Sequence, residues 1–144
     1  MTDLELAMEV ALRLGASAIH VIVGSGGRVD HAIANLMVLA SPQWAAAIVT
    51  ATVGESRLWV VHHSAVLHLQ PGDPLSILPV GGPATGLATS GLEWELQDDN
   101  LIPWAARGVS NVVTRSPVEI SVREGVVLAI SSPTPASGHA AAQG

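Results

Sequence analysis

The stretch "SAIHVIVGSGGRVDHAIANLMVLA", residues 17–40, decides how the first part of this chain folds. Residues 17–23 are β-branched and nearly all apolar, as a strand buried on both faces would be. A glycine loop occupies 24–27, and from about 29 to 40 apolar residues return at helical spacing. Val29, Ile33, Leu36, Met37 and Ala40 are expected to pack inward. Upstream, residues 2–14 read as a helix. Thr2 and Glu5 stand in capping-box spacing, and Leu4, Ala7, Met8, Ala11 and Leu12 form one apolar face, with Gly15 as the stop. Helix, strand, glycine loop and helix in that order make a piece of a parallel α/β layer. One strand alone would leave unpaired edges, so this α/β half reads as incomplete on its N-terminal side.

Arg28 poses the question of this segment. A cation at a helix start opposes the backbone dipole, at a cost of about 0.3–1 kcal/mol. A phosphate beside it would reverse the sign. Gly26 and Gly27 permit positive φ and close backbone approach, and the free N–H groups of the helix start would face the same anion. The competing reading stands level with it: Arg28 points into solvent, where the penalty is screened, and Asp30 is an ordinary first-turn acid. His31 and Asn35, four residues apart, suit hydrogen bonding along the helix better than catalysis. The loop is neither a Walker phosphate loop nor a dinucleotide fingerprint.

After Pro42 the pattern changes. "AAAIVTATV", "SRLWVVHH", "AVLHLQ", "PLSILPV", "VEISVREG" and "VVLAIS" are short strand candidates, separated by the turn signals "VGES", "QPGDP" and "VGGPATG". This half reads as an antiparallel sandwich or barrel. The expected organisation is a partial α/β domain over 1–41, a β-sandwich over 42–131 and a disordered tail over 132–144.

Composition narrows the function. Apolar residues make up 49% of the 144, enough for a packed core, and there is no cysteine for disulfides, thiolate metal sites or thiol nucleophiles. Net charge is −6, and all six basic residues are arginines, with no basic stripe, which argues against a nucleic-acid partner. No apolar run is long enough to cross a bilayer, and the acidic N-terminus is unlike a targeting peptide, so a cytoplasmic, non-membrane protein is expected.

"TDLELAM" (2–8), "GSGGRVDHAIANLMVL" (24–39), "PLSILPVGG" (74–82), "GLEWEL" (91–96) and "GVSN" (108–111) follow one another in an order and spacing that resembles thiamine pyrophosphokinase across roughly residues 2–131. The resemblance implies transfer of a pyrophosphoryl group from ATP to the hydroxyl of thiamine, with release of AMP. It also implies Mg²⁺ as cofactor, an α/β domain (Rossmann-like and parallel) followed by a β-sandwich, and a homodimer with shared active sites. Carried over residue by residue, it makes Asp3, Arg28 and Asp30 catalytic, with Asp3 and Asp30 as metal ligands. Gly26, Gly27 and Arg28 would hold the ATP phosphates, and Trp94, Ser110 and Asn111 would bind thiamine. An indole face suits a planar cation.

The chain departs from the family at its start. Family members carry a glycine-aspartate-x-aspartate-serine segment and a lysine-aspartate pair before the threonine-aspartate, whereas Met1 stands directly before Thr2. Either the chain begins late or it is a truncated paralogue, and turnover is expected to need the missing part. The alternative is a non-catalytic remnant that dimerises and binds thiamine or its phosphates. A histidine metal site built on His62, His63 and His68 is a weaker reading, because strand neighbours point to opposite faces. A serine hydrolase lacks its nucleophile elbow.

Overall fold

The computed structural model describes residues 1–24 and 26–133. Helix α1 (Asp3–Arg13) starts with a complete capping box: Thr2 Oγ1 accepts the Glu5 N–H at 3.2 Å, and Glu5 Oε2 accepts the Thr2 N–H at 2.6 Å. It ends where Gly15, at φ +89°, lets its own N–H reach Leu12 O (2.9 Å) and the Ala16 N–H reach Ala11 O (3.0 Å). Strand β1 (Ala18–Val23) and helix α2 (Val29–Leu39) follow, then a 3-10 turn over Pro42–Trp44 and β2 (Ile48–Val53). The remaining strands are β3 (Ser56–Val61), β4 (Ser64–Leu67), β5 (Pro74–Pro79), β6 (Ala84–Ser90), β7 (Asp99–Leu101), β8 (Asn111–Val112), β9 (Val118–Ser121) and β10 (Val127–Ser131).

The strands form two sheets, β1-β2-β3-β10-β5-β8 and β4-β9-β6-β7. β1 and β2 pair in parallel through α2, and every other named pair is antiparallel. The expected parallel layer is therefore confined, among the described residues, to one β1–α2–β2 unit with α1 beside it. Its sheet runs on into the antiparallel strands. Residues on both sides of Ser41–Pro42 contribute to that sheet and to the core beneath the helices.

Two cores lie on the two faces of the six-stranded sheet. Met8, Leu39 and Trp44 pack on Val49, Ala51, Leu58, Val60 and Leu128 on the helix side. Val61, Ile77, Val127 and Ala129 meet Leu67, Leu87, Val118 and Ile120 from the smaller sheet on the other. β10 serves both, which explains its unbroken apolar run "VVLAI". Each fully buried leucine of these layers stabilises the fold by roughly 1.5–3 kcal/mol relative to an exposed one. Trp44 buries its ring and still satisfies its indole N–H, which donates to Val38 O at 2.7 Å.

Several sequence expectations need correction. β1 is an edge strand, not one buried on both faces: its burial alternates, and Ile22 is 80% exposed. On α2, Leu36, Leu39 and Ala40 face the core, while Val29, Ile33 and Met37 are exposed. Ala7 of α1 is also exposed. β6 begins inside "VGGPATG", expected to be a turn, and β7 and β8 are further strands that the sequence did not mark. The expected tail falls for the most part outside the described residues. Ser132 is described, and its Oγ lies 2.8 Å from Ser56 Oγ. No described helix is long and apolar enough to cross a membrane.

Candidate functional site

One cavity gathers three residues that the sequence singled out. Trp94, Ser110 and Asn111 line a concavity of about 580 Å³ together with Glu95, Arg107 and Gly108. That volume is within the roughly 300–1,000 Å³ of small-molecule sites.

The chain brings them together by backbone bonds. Trp94 follows β6, in a segment with no long strand of its own, and Asn111 opens β8, which pairs with β5. Asn111 is buried and acts as a clamp between the two. Its Oδ1 accepts the Trp94 N–H (3.1 Å) and the Val112 N–H (2.9 Å), and its Nδ2 donates to Trp94 O (2.7 Å). Trp94 is thus fixed through its main chain while its side chain stays open, the residue being 59% exposed. An exposed indole carried on a fixed main chain offers a face for stacking on a planar ligand.

Ser110 sits at φ +64°, a left-handed conformation that costs a non-glycine residue of order 1–3 kcal/mol and is concentrated at functional sites. Its N–H donates to Ser76 Oγ of β5 at 3.1 Å. Gly108 is pressed against the same strand: its carbonyl accepts the Ile77 N–H at 2.7 Å, and a Cβ at this position would run into the Ile77 carbonyl oxygen. Only glycine lets the loop approach that closely. Sequence reasoning had no means of seeing this contact, because it depends on β5, some thirty residues away.

The charges of the cavity were also missed. Glu95 Oε1 accepts the Gly91 N–H at 2.9 Å, with Arg115 at 3.9 Å. Arg107 Nη2 donates to Asp99 Oδ1 at 2.7 Å. The Gln97 N–H, at 2.9 Å from Asp99 Oδ2, and then Arg107 hold the Asp99 carboxyl below its ordinary pKa.

The predicted phosphate side is arranged differently. Arg28 is the N-cap of α2 and caps nothing with its side chain. Its guanidinium instead forks onto Asp30, Nε to Oδ1 at 3.1 Å and Nη2 to Oδ2 at 2.6 Å, with both side chains largely exposed. The acid two residues on thus offsets the cation at the helix start. Gly26 and Gly27 adopt φ +112° and +118° with open space around them. Asp3 is exposed in the first turn of α1. Neither Arg28 nor Asp30 lines the cavity that holds Trp94. No three of His, Cys, Asp and Glu gather into a metal-binding group among the described residues, and His62, His63 and His68 make none.

A second concavity of about 440 Å³ lies where β2, β3 and β4 meet, and His62 is in its wall. The His62 Nε2 is buried without a hydrogen-bond partner. Burial, with His63 beside it, lowers the pKa of this ring below 6.5.

Residues 64–127 match the family model described as "Thiamin pyrophosphokinase, vitamin B1 binding domain", so the resemblance read from the sequence holds. No curated protein sequence matches the chain. Among solved structures, thiamine pyrophosphokinase from Bacillus subtilis is similar with a TM-score of 0.82 at 20% identity, over 93% of this chain and 64% of that one. Thiamin pyrophosphokinase from Geobacillus thermodenitrificans gives 0.75 at 23% identity, over 94% and 63%. The Candida albicans enzyme gives 0.66 at 13% identity, over 81% and 44%. The fold is shared, and the chain spans less than two thirds of the length of these relatives.

Proposed function

We propose that the cavity of Trp94, Ser110 and Asn111 binds thiamine, in keeping with the match of residues 64–127 to the family model of the thiamin pyrophosphokinase vitamin B1 binding domain. The observation that carries this is the convergence of three residues, named by the resemblance to thiamine pyrophosphokinase, on one wall of one cavity. The thiazolium ring of thiamine is a cation. The indole of Trp94 offers it a π face, Glu95 an opposite charge, and the Ser110 hydroxyl a polar contact for the pyrimidine or the alcohol.

The reaction we assign to the site is pyrophosphoryl transfer from ATP to the thiamine hydroxyl. Asp3, Gly26, Gly27, Arg28 and Asp30 are our candidates for the nucleotide side. The α2 start and its two left-handed glycines support a phosphate there, since free N–H groups face the loop. Arg28 would exchange Asp30 for a phosphate. Magnesium does not fit these residues as they stand: Asp30 is engaged by Arg28, and among the described residues no three His, Cys, Asp or Glu side chains gather into a metal-binding group. A magnesium ion in such a reaction neutralises phosphate charge and aligns the oxygens. This chain's residues alone do not build that centre, and we derive no step through it. Turnover therefore requires donors beyond those described.

A homodimer accords with the apolar side chains left open at Ile22, Ile48 and Val66. The second reading, a thiamine-binding protein without catalysis, is favoured by the same missing metal donors. Calorimetry with thiamine, paired with an assay for AMP release from ATP and Mg²⁺, tests both. Thiamine binding with AMP release establishes the enzyme. Thiamine binding without AMP release establishes the binding protein, and absence of thiamine binding contradicts both.

A further inference from the structure

Ser110 stands in the cavity wall with a backbone that serine does not adopt by preference, at φ +64°. The ladder beside it shows what holds it there. β5 and β8 pair Pro74 with Val112 and Leu75 with Asn111, so an unshifted ladder would set Ile77 opposite Val109. The Ile77 N–H instead reaches the Gly108 carbonyl at 2.7 Å. The loop side therefore carries one residue more than β5, a β-bulge, and Ser110 lies within it.

A bulge takes main-chain groups out of the ladder, and each needs another partner. The Ser110 N–H finds the side chain of Ser76 on β5, whose Oγ accepts it at 3.1 Å. Gly108 and Asn111 are tied down on either side, but among the described residues Ser76 alone bonds to Ser110 itself. Ser76 is half-buried and does not line the cavity of Trp94. It lines a neighbouring concavity of about 520 Å³ that shares Ser110 and Asn111 with it. Its influence on a ligand beside Trp94 therefore runs through Ser110. The two serines are 34 residues apart, so no contiguous motif could join them.

We infer that Ser76 is a positioning residue of the cavity: its hydroxyl oxygen, by accepting the Ser110 N–H, keeps Ser110 left-handed and fixes where the Ser110 side chain stands in the wall. Without that acceptor the strain at Ser110 is unopposed, and the residue relaxes towards ordinary φ. Ser76→Ala removes the acceptor. Ser76→Thr keeps it, in a strand that suits a β-branched residue. Ser110→Gly adopts the same φ without steric cost and no longer needs the bond. The inference rests on the reading of the cavity as a thiamine site.

The test is thiamine calorimetry on the full chain for the wild type, Ser76→Ala, Ser76→Thr, Ser110→Gly and the Ser76→Ala/Ser110→Gly double variant, with a urea midpoint for each. Ser76→Ala is expected to weaken thiamine roughly fivefold, the scale of one neutral hydrogen bond. Its midpoint should stay close to the wild type, because the bond is exposed. Ser76→Thr should recover most of the affinity. Ser110→Gly should weaken thiamine by losing the hydroxyl, and adding Ser76→Ala should weaken it no further, the non-additivity of two residues acting as one. Wild-type affinity in Ser76→Ala or in Ser110→Gly would overturn the inference and leave the thiamine site standing. So would a Ser76→Thr variant as weak as Ser76→Ala, or an equal Ser76→Ala effect in both backgrounds. Failure of the wild type to bind thiamine would overturn the site and the inference together.

Discussion

At the scale of single residues, Asn111 and Gly108 decide whether the cavity exists. Asn111 spends its whole side-chain amide on the Trp94 and Val112 main chain. Asn111→Ala should lower stability by about 1–3 kcal/mol, because it removes three part-buried bonds and leaves their main-chain partners to find water. Urea unfolding measures this. Gly108→Ala has a different signature. The new Cβ must displace the loop from Ile77, moving Arg107 and Ser110 with it, and thiamine affinity should fall roughly tenfold or more. Trp94, Ser110 and Asn111 were legible in the sequence through the resemblance, because "GLEWEL" and "GVSN" are contiguous motifs that carry it. The clamp, the close approach to β5 and the roles of Glu95 and Arg107 were not, since each depends on a partner brought near only by folding. The opening question about Arg28 has a local answer in Asp30, two positions along, which the sequence offered without saying that the pair would form.

At the scale of elements, local chemistry was readable and the choice of face was not. The capping box of α1 and its glycine stop needed only neighbours in sequence. Thr2→Ala is accordingly expected to cost about 1 kcal/mol, read as a lower thermal or urea midpoint. Helix α2 carries two apolar stripes, and packing rather than periodicity chose Leu36, Leu39 and Ala40 over Val29, Ile33 and Met37. β6 was hidden because its first half is irregular. The pairing with β7 shifts register between Ala84 and Leu87, and Gly86 sits at φ +63° under Arg123, so the segment has turn composition inside a strand. β1 reads as a central strand from its residues alone, yet it lies at a sheet edge.

At the scale of the molecule, the six-stranded sheet joins the helices to the sandwich, with β3 and β10 feeding both cores. His62 lies just beyond β3, and its buried ring ties stability to pH. The folded protein holds this histidine neutral below its ordinary value of 6.5, so as pH falls through that value the unfolded chain binds a proton that the native one refuses. Stability should therefore decline until the depressed native value is reached and then level off. Thermal midpoints compared between about pH 7.5 and about pH 5.5 should fall less in His62→Gln than in the wild type.

The central claim is that thiamine rests on the open face of Trp94. Thiamine titration of the wild type, Trp94→Ala and Trp104→Ala tests it most directly. Trp104 is also exposed, at 77%, but does not line the cavity. Saturable binding by the wild type and Trp104→Ala, with at least a roughly tenfold loss in Trp94→Ala, is the predicted result. Equal affinity in the Trp94→Ala and wild-type proteins, or a loss confined to Trp104→Ala, would contradict it.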